Sequence, residues 1–182
     1  MISSADEYQF LGWFLQTMCA RKVIEVGVFR GVTTLALARQ LPADGVVRAL
    51  DISAEYADIG KKAWEEAGVA DKIDFRIGPA AESMRALLAE EGEAGTYDFV
   101  YIDANKDQYT EYYELALNLL RSGGVIAVDN TLFHGLVTKE KLITSNSNVK
   151  GVHELNERIR TDSRVSAVMT ILADGVYFVR KL

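Results

Sequence analysis

The sequence predicts an α/β fold in which a mostly parallel sheet is covered by helices on both faces. Short apolar, β-branched runs alternate along the chain with segments whose apolar residues recur at helical spacing. The strand-like runs are continuously apolar, as strands buried on both faces are, and the connections are short. With 182 residues, the chain has the size of one ordinary domain, and we expect residues 1–182 to form a single one.

The predicted elements follow one another in a regular order, beginning with a helix over residues 4–20 that Ser3, Ser4 or Asp6 could cap. The predicted strands are 22–26, 46–50, 73–77, 99–102, 125–128, 165–172 and 176–180. The helices expected after the first are 33–41, 56–67, 82–90, 109–120 and 152–160. Residues 136–150 are polar, and we expect 144–148 to be mobile. These elements predict a Rossmann-like, mostly parallel seven-stranded sheet that ends in an antiparallel hairpin.

The composition and charge argue against nucleic acids and membranes as binding partners. Acidic residues outnumber basic ones by 26 to 20, and the basic residues are scattered rather than clustered, which argues against nucleic-acid binding. No apolar run approaches the ~20 residues that cross a bilayer, and the polar start lacks a signal-peptide pattern. We therefore expect a cytoplasmic protein without a membrane partner. Cys19 is the only cysteine, and its apolar surroundings predict a buried, inert thiol.

A glycine-containing segment, residues 25–31, joins the first strand to a helix. Ligands of open α/β sheets bind at the carboxyl ends of the strands, and Gly27 would let a nucleotide approach the backbone there. The dinucleotide fingerprint G-x-G-x-x-G is absent because Val26 and Val28 flank Gly27. A ligand without a pyrophosphate suits this loop better, although a plain turn with a helix-packing glycine remains an alternative.

Asp51 ends the second strand, roughly 20 residues after the glycine loop, where a carboxylate that binds ribose hydroxyls is expected. It could instead cap the helix near Tyr56, but Ser53 can do that and leave Asp51 free. The glycine loop and Asp51 together indicate a nucleoside ligand.

Polar residues also follow two later strands. Asp103 ends one of them, and Asp129 with Asn130 ends the next. Neighbouring parallel strands lie ~4.8 Å apart, so these side chains should meet, and their oxygens suit Mg²⁺ or Ca²⁺ rather than zinc. Lys106 should overhang the same pocket as a candidate general base. The alternatives are strand-end caps and turn formers for the oxygen ligands, and a solvated surface side chain for the lysine.

The residues that carry this chemistry resemble those of the cation-dependent class I O-methyltransferases, which include catechol and caffeoyl-CoA O-methyltransferases. The likeness extends over about residues 8–182 and is strongest in 23–31, 78–80, 97–106 and 123–135. The resemblance implies transfer of a methyl group from S-adenosylmethionine (SAM) to a hydroxyl of a small phenolic acceptor, either a catechol-like vicinal diol or a caffeoyl-type compound. It also implies a possible homodimer.

The resemblance further implies the roles of individual residues. SAM would be bound by Glu25, Gly27, Phe29, Thr33, Asp51, Ile52, Gly78, Pro79, Ala80 and Asp103. A divalent cation, usually Mg²⁺, would be held by Asp103, Asp129 and Asn130. Lys106 would remove the phenol proton, with Asp103 as the second catalytic residue.

The chain also departs from its apparent relatives. Many of them have an aspartate where this chain has Asn105, and most carry several tens of residues before the position of Met1. We expect the cover over cofactor and substrate to be largely missing, which would open the site. His134 could line the pocket or serve as a turn residue. The competing functions are an NAD-linked oxidoreductase, a non-catalytic SAM-binding module, and a methyltransferase acting on RNA or protein.

Overall fold

A computed structural model describes residues 4–182, which form a seven-stranded sheet with helices on both faces. The strands are β1 (Lys22–Val26), β2 (Val46–Asp51), β3 (Ile73–Ile77), β4 (Tyr97–Ile102), β5 (Leu120–Val128), β6 (Val165–Thr170) and β7 (Val176–Lys181). The α-helices are α1 (Ala5–Thr17), α2 (Val32–Gln40), α3 (Ala57–Glu66), α4 (Ala80–Ala89), α5 (Tyr109–Leu119), α6 (Glu140–Ser145) and α7 (Ser147–Thr161). Short 3₁₀ turns cover Ala70–Lys72, Lys106–Gln108 and Phe133–Thr138.

The strand order is β3-β2-β1-β4-β5-β7-β6. The first five strands in this order are parallel, and β7 pairs antiparallel with both β5 and β6. The predicted fold class is confirmed. Because the chain order reverses between β1 and β4, the carboxyl ends of these two strands form the switch point where such sheets bind ligands.

The register of the parallel strands brings four polar or glycine positions to one level of the sheet. Val26 pairs with both Leu50 and Ile102, and Ile102 pairs with Val128. Each of these four residues is the last apolar position before a residue singled out in the sequence. Gly27, Asp51, Asp103 and Asp129 therefore leave the sheet side by side.

Two apolar cores lie on opposite faces of the sheet. One contains the buried faces of α4, α5 and α7, and the other contains those of α1, α2 and α3. The strands alternate between them: Ile24 and Val26 join the first core, whereas Val23 joins the second. Packing on both faces fixes the strand ends and so positions the site.

The structure differs from the sequence prediction in three places. The first helix ends at Thr17, and Cys19 lies in the following turn with φ 53°, so its thiol is exposed rather than buried. Residues 144–148 comprise the end of α6 and the start of α7, with an extended Asn146 between them that caps α7 by accepting hydrogen bonds from Asn148 N and Val149 N, and their mobility stays a prediction. Strand β5 begins at Leu120 rather than at residue 125, and it therefore includes Gly123 and Gly124. Of the candidate caps of α1, Ser4 occupies the N-cap position, but its side chain makes no capping hydrogen bond. Ser3 lies outside the described residues.

Within residues 4–182, none of the helices combines the length and apolarity needed to cross a bilayer.

Candidate active site

A cavity of about 840 Å³ opens at the carboxyl ends of the parallel strands. Its size falls in the range of pockets that bind small molecules. It is lined by the loop after β1, the ends of β2, β4 and β5, the start of α4, the first turn of α1 and the turn between β6 and β7. Predicted site residues on its wall are Gly27, Phe29, Thr33, Asp51, Ile52, Pro79, Ala80, Asp103, Lys106, Asp129 and Asn130.

Asp51 holds the glycine loop. Its Oδ2 accepts hydrogen bonds from Val28 N and Phe29 N, both at 2.8 Å, and its Oδ1 accepts one from Ser53 N at 2.9 Å. The expectation that Ser53 leaves Asp51 free is wrong, since this carboxylate fixes the turns that follow both β1 and β2. A carboxylate oxygen has two lone pairs, so Oδ2 is fully used by its two contacts, whereas Oδ1 keeps one lone pair for a ligand hydroxyl. Asp51 can therefore shape the loop and bind a ribose together.

Gly27 has a packing role as well as a conformational one. Its φ is 98°, and a Cβ atom there would lie 2.1 Å from the Asp103 carbonyl oxygen. The glycine is thus required because β1 and β4 approach each other at the switch point. Phe29 in the same loop has φ 51°, and its ring contacts that of Tyr56 at 5.0 Å between centroids.

Two predicted cofactor residues, Glu25 and Gly78, are not on the cavity wall. Glu25 is fully buried behind the loop, where its Oε2 accepts a hydrogen bond from Thr34 Oγ1 at 2.5 Å while its Oε1 has no hydrogen-bond partner among residues 4–182. Burial raises the pKa of Glu25 to about 8. Gly78 has φ 150° and leads from β3 toward Pro79 and Ala80, which do line the cavity.

Hydrogen bonds hold the Lys106 side chain in the turn after the carboxyl end of β4. Its Nζ donates hydrogen bonds to Asp103 Oδ1 at 2.7 Å and to Tyr109 Oη at 2.6 Å. The Tyr109 hydroxyl in turn donates to the Asp129 carbonyl oxygen at 3.3 Å. Burial and the nearby charges of Asp103 and Asp129 raise the pKa of Tyr109 well above its usual value. The phenol stays protonated and orients the lysine.

Asp129 is a buried carboxylate beside Asp103. Its Oδ1 accepts a hydrogen bond from Asn130 N at 2.6 Å, and Asn130 takes the left-handed conformation with φ 58°. Burial, and then the negative charge of Asp103, raise the pKa of Asp129 to about 6. In the described part of the chain, no three His, Cys, Asp or Glu side chains form a metal-binding group.

The oxygen atoms that could coordinate a cation in this cavity belong to the carboxylates of Asp103 and Asp129 and to the Asn130 amide. Such a set fits a hard divalent cation, whose charge would offset the repulsion between Asp103 and Asp129.

Two parts of the wall were not predicted from the sequence. From α1 comes Glu7, which is buried and whose Oε1 lies within hydrogen-bond distance of Tyr101 Oη, at 3.0 Å. Burial raises the pKa of Glu7 to about 8. From the turn between β6 and β7 comes Asp174, whose carboxylate accepts a hydrogen bond from His134 N at 2.9 Å.

A signal for Asp174 was present in the sequence. An antiparallel strand beside β5 must begin where β5 ends, and Val128 indeed pairs with Tyr177. That rule places the preceding turn at the cavity. His134, which had two alternative roles, lines the cavity, and its main chain also bonds to this turn.

Comparison with known proteins gives a consistent picture. A family model described as "O-methyltransferase" matches residues 1–182. The chain is 40% identical over its whole length to probable caffeoyl-CoA O-methyltransferase 1 of Dictyostelium discoideum and covers 78% of that protein. It is 43% identical to tricin synthase 1 of Oryza sativa subsp. japonica, again over all of this chain and 75% of the relative.

Solved structures agree with these sequence matches. The O-methyltransferase from Bacillus cereus in complex with SAH has a TM-score of 0.89 and 34% identity, with 100% of this chain and 83% of that one covered. The O-methyltransferase TomG from Streptomyces achromogenes in complex with SAM has a TM-score of 0.90 and 30% identity, with 99% and 81% covered.

Proposed function

The chain belongs to the O-methyltransferase family and is a SAM-dependent O-methyltransferase, and from this premise we propose that it methylates a hydroxyl of a catechol-like or caffeoyl-type acceptor. The observation that carries the acceptor class is the juxtaposition of Asp103, Asp129 and Asn130 with Lys106 in one cavity. Several of the relatives are named for caffeoyl-CoA, an acceptor with two adjacent phenolic hydroxyls.

SAM would lie along the loop after β1. Asp51 would bind a ribose hydroxyl with the lone pair of Oδ1 that its backbone contacts leave free. Ile52, which is 69% exposed in the cavity mouth, would pack on the adenine, with Pro79 and Ala80 at its edge. Thr33, Phe29 and Gly27 would border the methionine part of SAM. Glu25 would act from behind this loop rather than by lining the cavity.

Asp103, Asp129 and Asn130 would hold a divalent cation, most often Mg²⁺. When bound, the ion supplies Lewis acidity that lowers the pKa of an adjacent hydroxyl. The three side chains orient the acceptor by fixing where its oxygens can lie. Because the strand register aligns Gly27 with Asp103 and Asp129, the acceptor oxygen would face the methyl group of SAM.

Lys106 would accept the phenol proton. Its contacts with Asp103 and Tyr109 hold Nζ in place and limit the motion of a long side chain. The resulting phenolate would attack the methyl carbon in line as the carbon–sulfur bond breaks, leaving SAH and the methyl ether. Positioning the reacting atoms within about 3–3.5 Å supplies much of the rate in such reactions.

The test is a transfer assay with isotopically labelled SAM over a panel of catechols, caffeoyl esters and matched single phenols. We expect labelled mono-methyl ethers from the vicinal diols and much slower transfer to the single phenols. Binding of SAH without binding of NAD, measured by calorimetry, would exclude the oxidoreductase alternative. SAH binding without transfer to any diol would contradict the proposal and favour a non-catalytic module. The homodimer implied by the resemblance stays a prediction.

A further inference from the structure

Glu7 stands in an unusual place for a carboxyl group of a first helical turn. Acidic residues there usually face solvent and interact with the helix dipole. Glu7 is instead 1% exposed and forms part of the cavity wall. A buried carboxyl group needs hydrogen-bond partners to offset its desolvation. The neighbours of Glu7 therefore indicate what it does.

The partner of Glu7 is Tyr101 on β4. Tyr101 Oη lies within hydrogen-bond distance of two carboxyl groups, 3.0 Å from Glu7 Oε1 and 3.5 Å from Asp129 Oδ2. All three side chains are almost completely buried. A phenol can donate one hydrogen bond and accept another, so it can join two carboxyl groups of which one carries a proton. When Glu7 carries that proton, its carboxyl group donates to Tyr101 Oη and leaves the single phenol proton for Asp129 Oδ2.

The hydrogen bonds that run from Glu7 through Tyr101 reach Asp129 and affect how its carboxylate is oriented. Asn130 N fixes Oδ1, and the Tyr101 hydroxyl approaches Oδ2. The two contacts together set the rotation of the carboxylate about its Cβ–Cγ bond. The Tyr101 hydroxyl can rotate, however, and a second contact on its far side limits that rotation. Glu7, which lies in α1 and is 94 residues away from Tyr101 in sequence, supplies this contact.

We propose that Glu7 is a positioning residue for methyl transfer: through the Tyr101 hydroxyl it orients the Asp129 carboxylate toward the cavity. This inference rests on the proposed function, in which Asp129 helps to hold the divalent cation. It adds a structural link between the first helix and the end of β5. Groups that hold metal ligands from behind commonly change cation affinity or activity by about 10- to 100-fold when removed.

The test compares three variants of Glu7 and Tyr101 with one matched control. Glu7→Leu removes the carboxyl group, Tyr101→Phe removes the linking oxygen, and Glu7→Gln keeps an amide that can bond to the phenol. Tyr113→Phe is the control, because Tyr113 is also buried and donates to Asp162 Oδ2 at 3.1 Å outside the cavity. Two kinds of measurement are made: calorimetry gives the Mn²⁺ affinity with SAH saturating, and steady-state kinetics gives kcat and the KM values for a catechol acceptor and for SAM.

For Glu7→Leu and Tyr101→Phe we expect Mn²⁺ affinity and kcat each to fall about tenfold or more, with KM for SAM within twofold of wild type. Glu7→Gln should retain most of both, and Tyr113→Phe should match wild type. Wild-type Mn²⁺ affinity and kcat in Tyr101→Phe would overturn the inference, and so would a Glu7→Gln defect as large as that of Glu7→Leu.

Further measurements distinguish a failure of this inference from a folding defect and from a failure of the proposed function. Thermal unfolding monitors each variant, and if Glu7→Leu fails to fold, Tyr101→Phe, which lacks a single oxygen atom, gives the deciding result. A wild-type protein that binds no Mn²⁺ would contradict the cation site of the proposed function itself. In that case kcat of Tyr101→Phe on a catechol still decides whether the link positions Asp129, and an unchanged kcat overturns it.

Discussion

Lys106 is the residue on which proton transfer would depend. Its amine contacts Asp103 and Tyr109 and is largely shielded from solvent. We expect Lys106→Ala to lower kcat at neutral pH by about 10²- to 10⁴-fold, the usual contribution of a general base. Calorimetry should give an unchanged SAH affinity. Lys150→Ala, at a solvent-exposed lysine paired with Glu154, is the control. A Lys106→Ala enzyme with wild-type kcat would exclude the base role.

Glu25 makes a prediction about stability and pH. The folded protein binds its proton more tightly than the unfolded chain does, because burial raises the pKa from its ordinary 4.5 to about 8. The free energy of unfolding should therefore fall as pH rises through this window. Glu25→Gln is uncharged at every pH, so relative to wild type it should gain Tm between pH 5 and pH 8.

The matched control is Glu66→Gln, at an exposed position near the end of α3. Its Tm difference from wild type should be the same at both pH values. If Glu25→Gln also kept a constant difference from wild type, the buried carboxyl group would not be the source of the pH dependence.

At the scale of elements, the close approach of β1 to β4 makes a prediction at Gly27. Alanine there must adopt φ 98° and would place Cβ 2.1 Å from the Asp103 carbonyl oxygen. We expect Gly27→Ala to displace Asp103 and to lower both SAH affinity and kcat. Gly68→Ala is the matched control, since Gly68 also has positive φ (66°) but has open space around it. The control should lose about 1 kcal/mol of stability and no activity. Equal effects of the two substitutions would show that backbone strain alone matters.

Helix α7 packs against the turn that carries Lys106. A Cβ atom on Gly151 would lie 2.2 Å from the Lys106 carbonyl oxygen. Gly151→Ala should therefore shift the lysine and lower kcat, although alanine normally favours a helix by about 0.5–1 kcal/mol. At Gly12 in α1 the atoms nearest to the added methyl belong to the flexible Gln40 side chain, the first at 3.0 Å, so Gly12→Ala should keep both kcat and Tm. Wild-type kcat in Gly151→Ala would refute this role of α7.

At the scale of the whole molecule, the parallel sheet was predictable because its information is local. The four central parallel strands end in short apolar stretches, and Gly27, Asp51, Asp103 and Asp129 each directly follow one of them. The rule that parallel strands end at one edge then brings these residues together. The antiparallel pair β6 and β7 was likewise marked by its turn.

What the sequence did not reveal depends on contacts distant in the chain or on packing. The link between Glu7 and Tyr101 spans 94 residues, and a glutamate in a first helical turn carries no mark of burial. No helix was predicted between 136 and 150 because this segment is polar, but α6 forms there and α7 begins at Ser147, one residue after its cap Asn146. Cys19 was taken as buried because its neighbours are apolar, whereas the helix ends two residues before it.

The measurement that most directly tests the cation-assisted methyl transfer proposed for this cavity is the rate of transfer to a vicinal diol with EDTA and after Mg²⁺ is restored. We expect EDTA to reduce the rate at least about 100-fold, because the Lewis acidity of the ion is lost, and Mg²⁺ to restore it in wild type but not in Asp103→Ala. Transfer that continues at the full rate in EDTA, or full activity of Asp103→Ala, would contradict the role proposed for Asp103, Asp129 and Asn130.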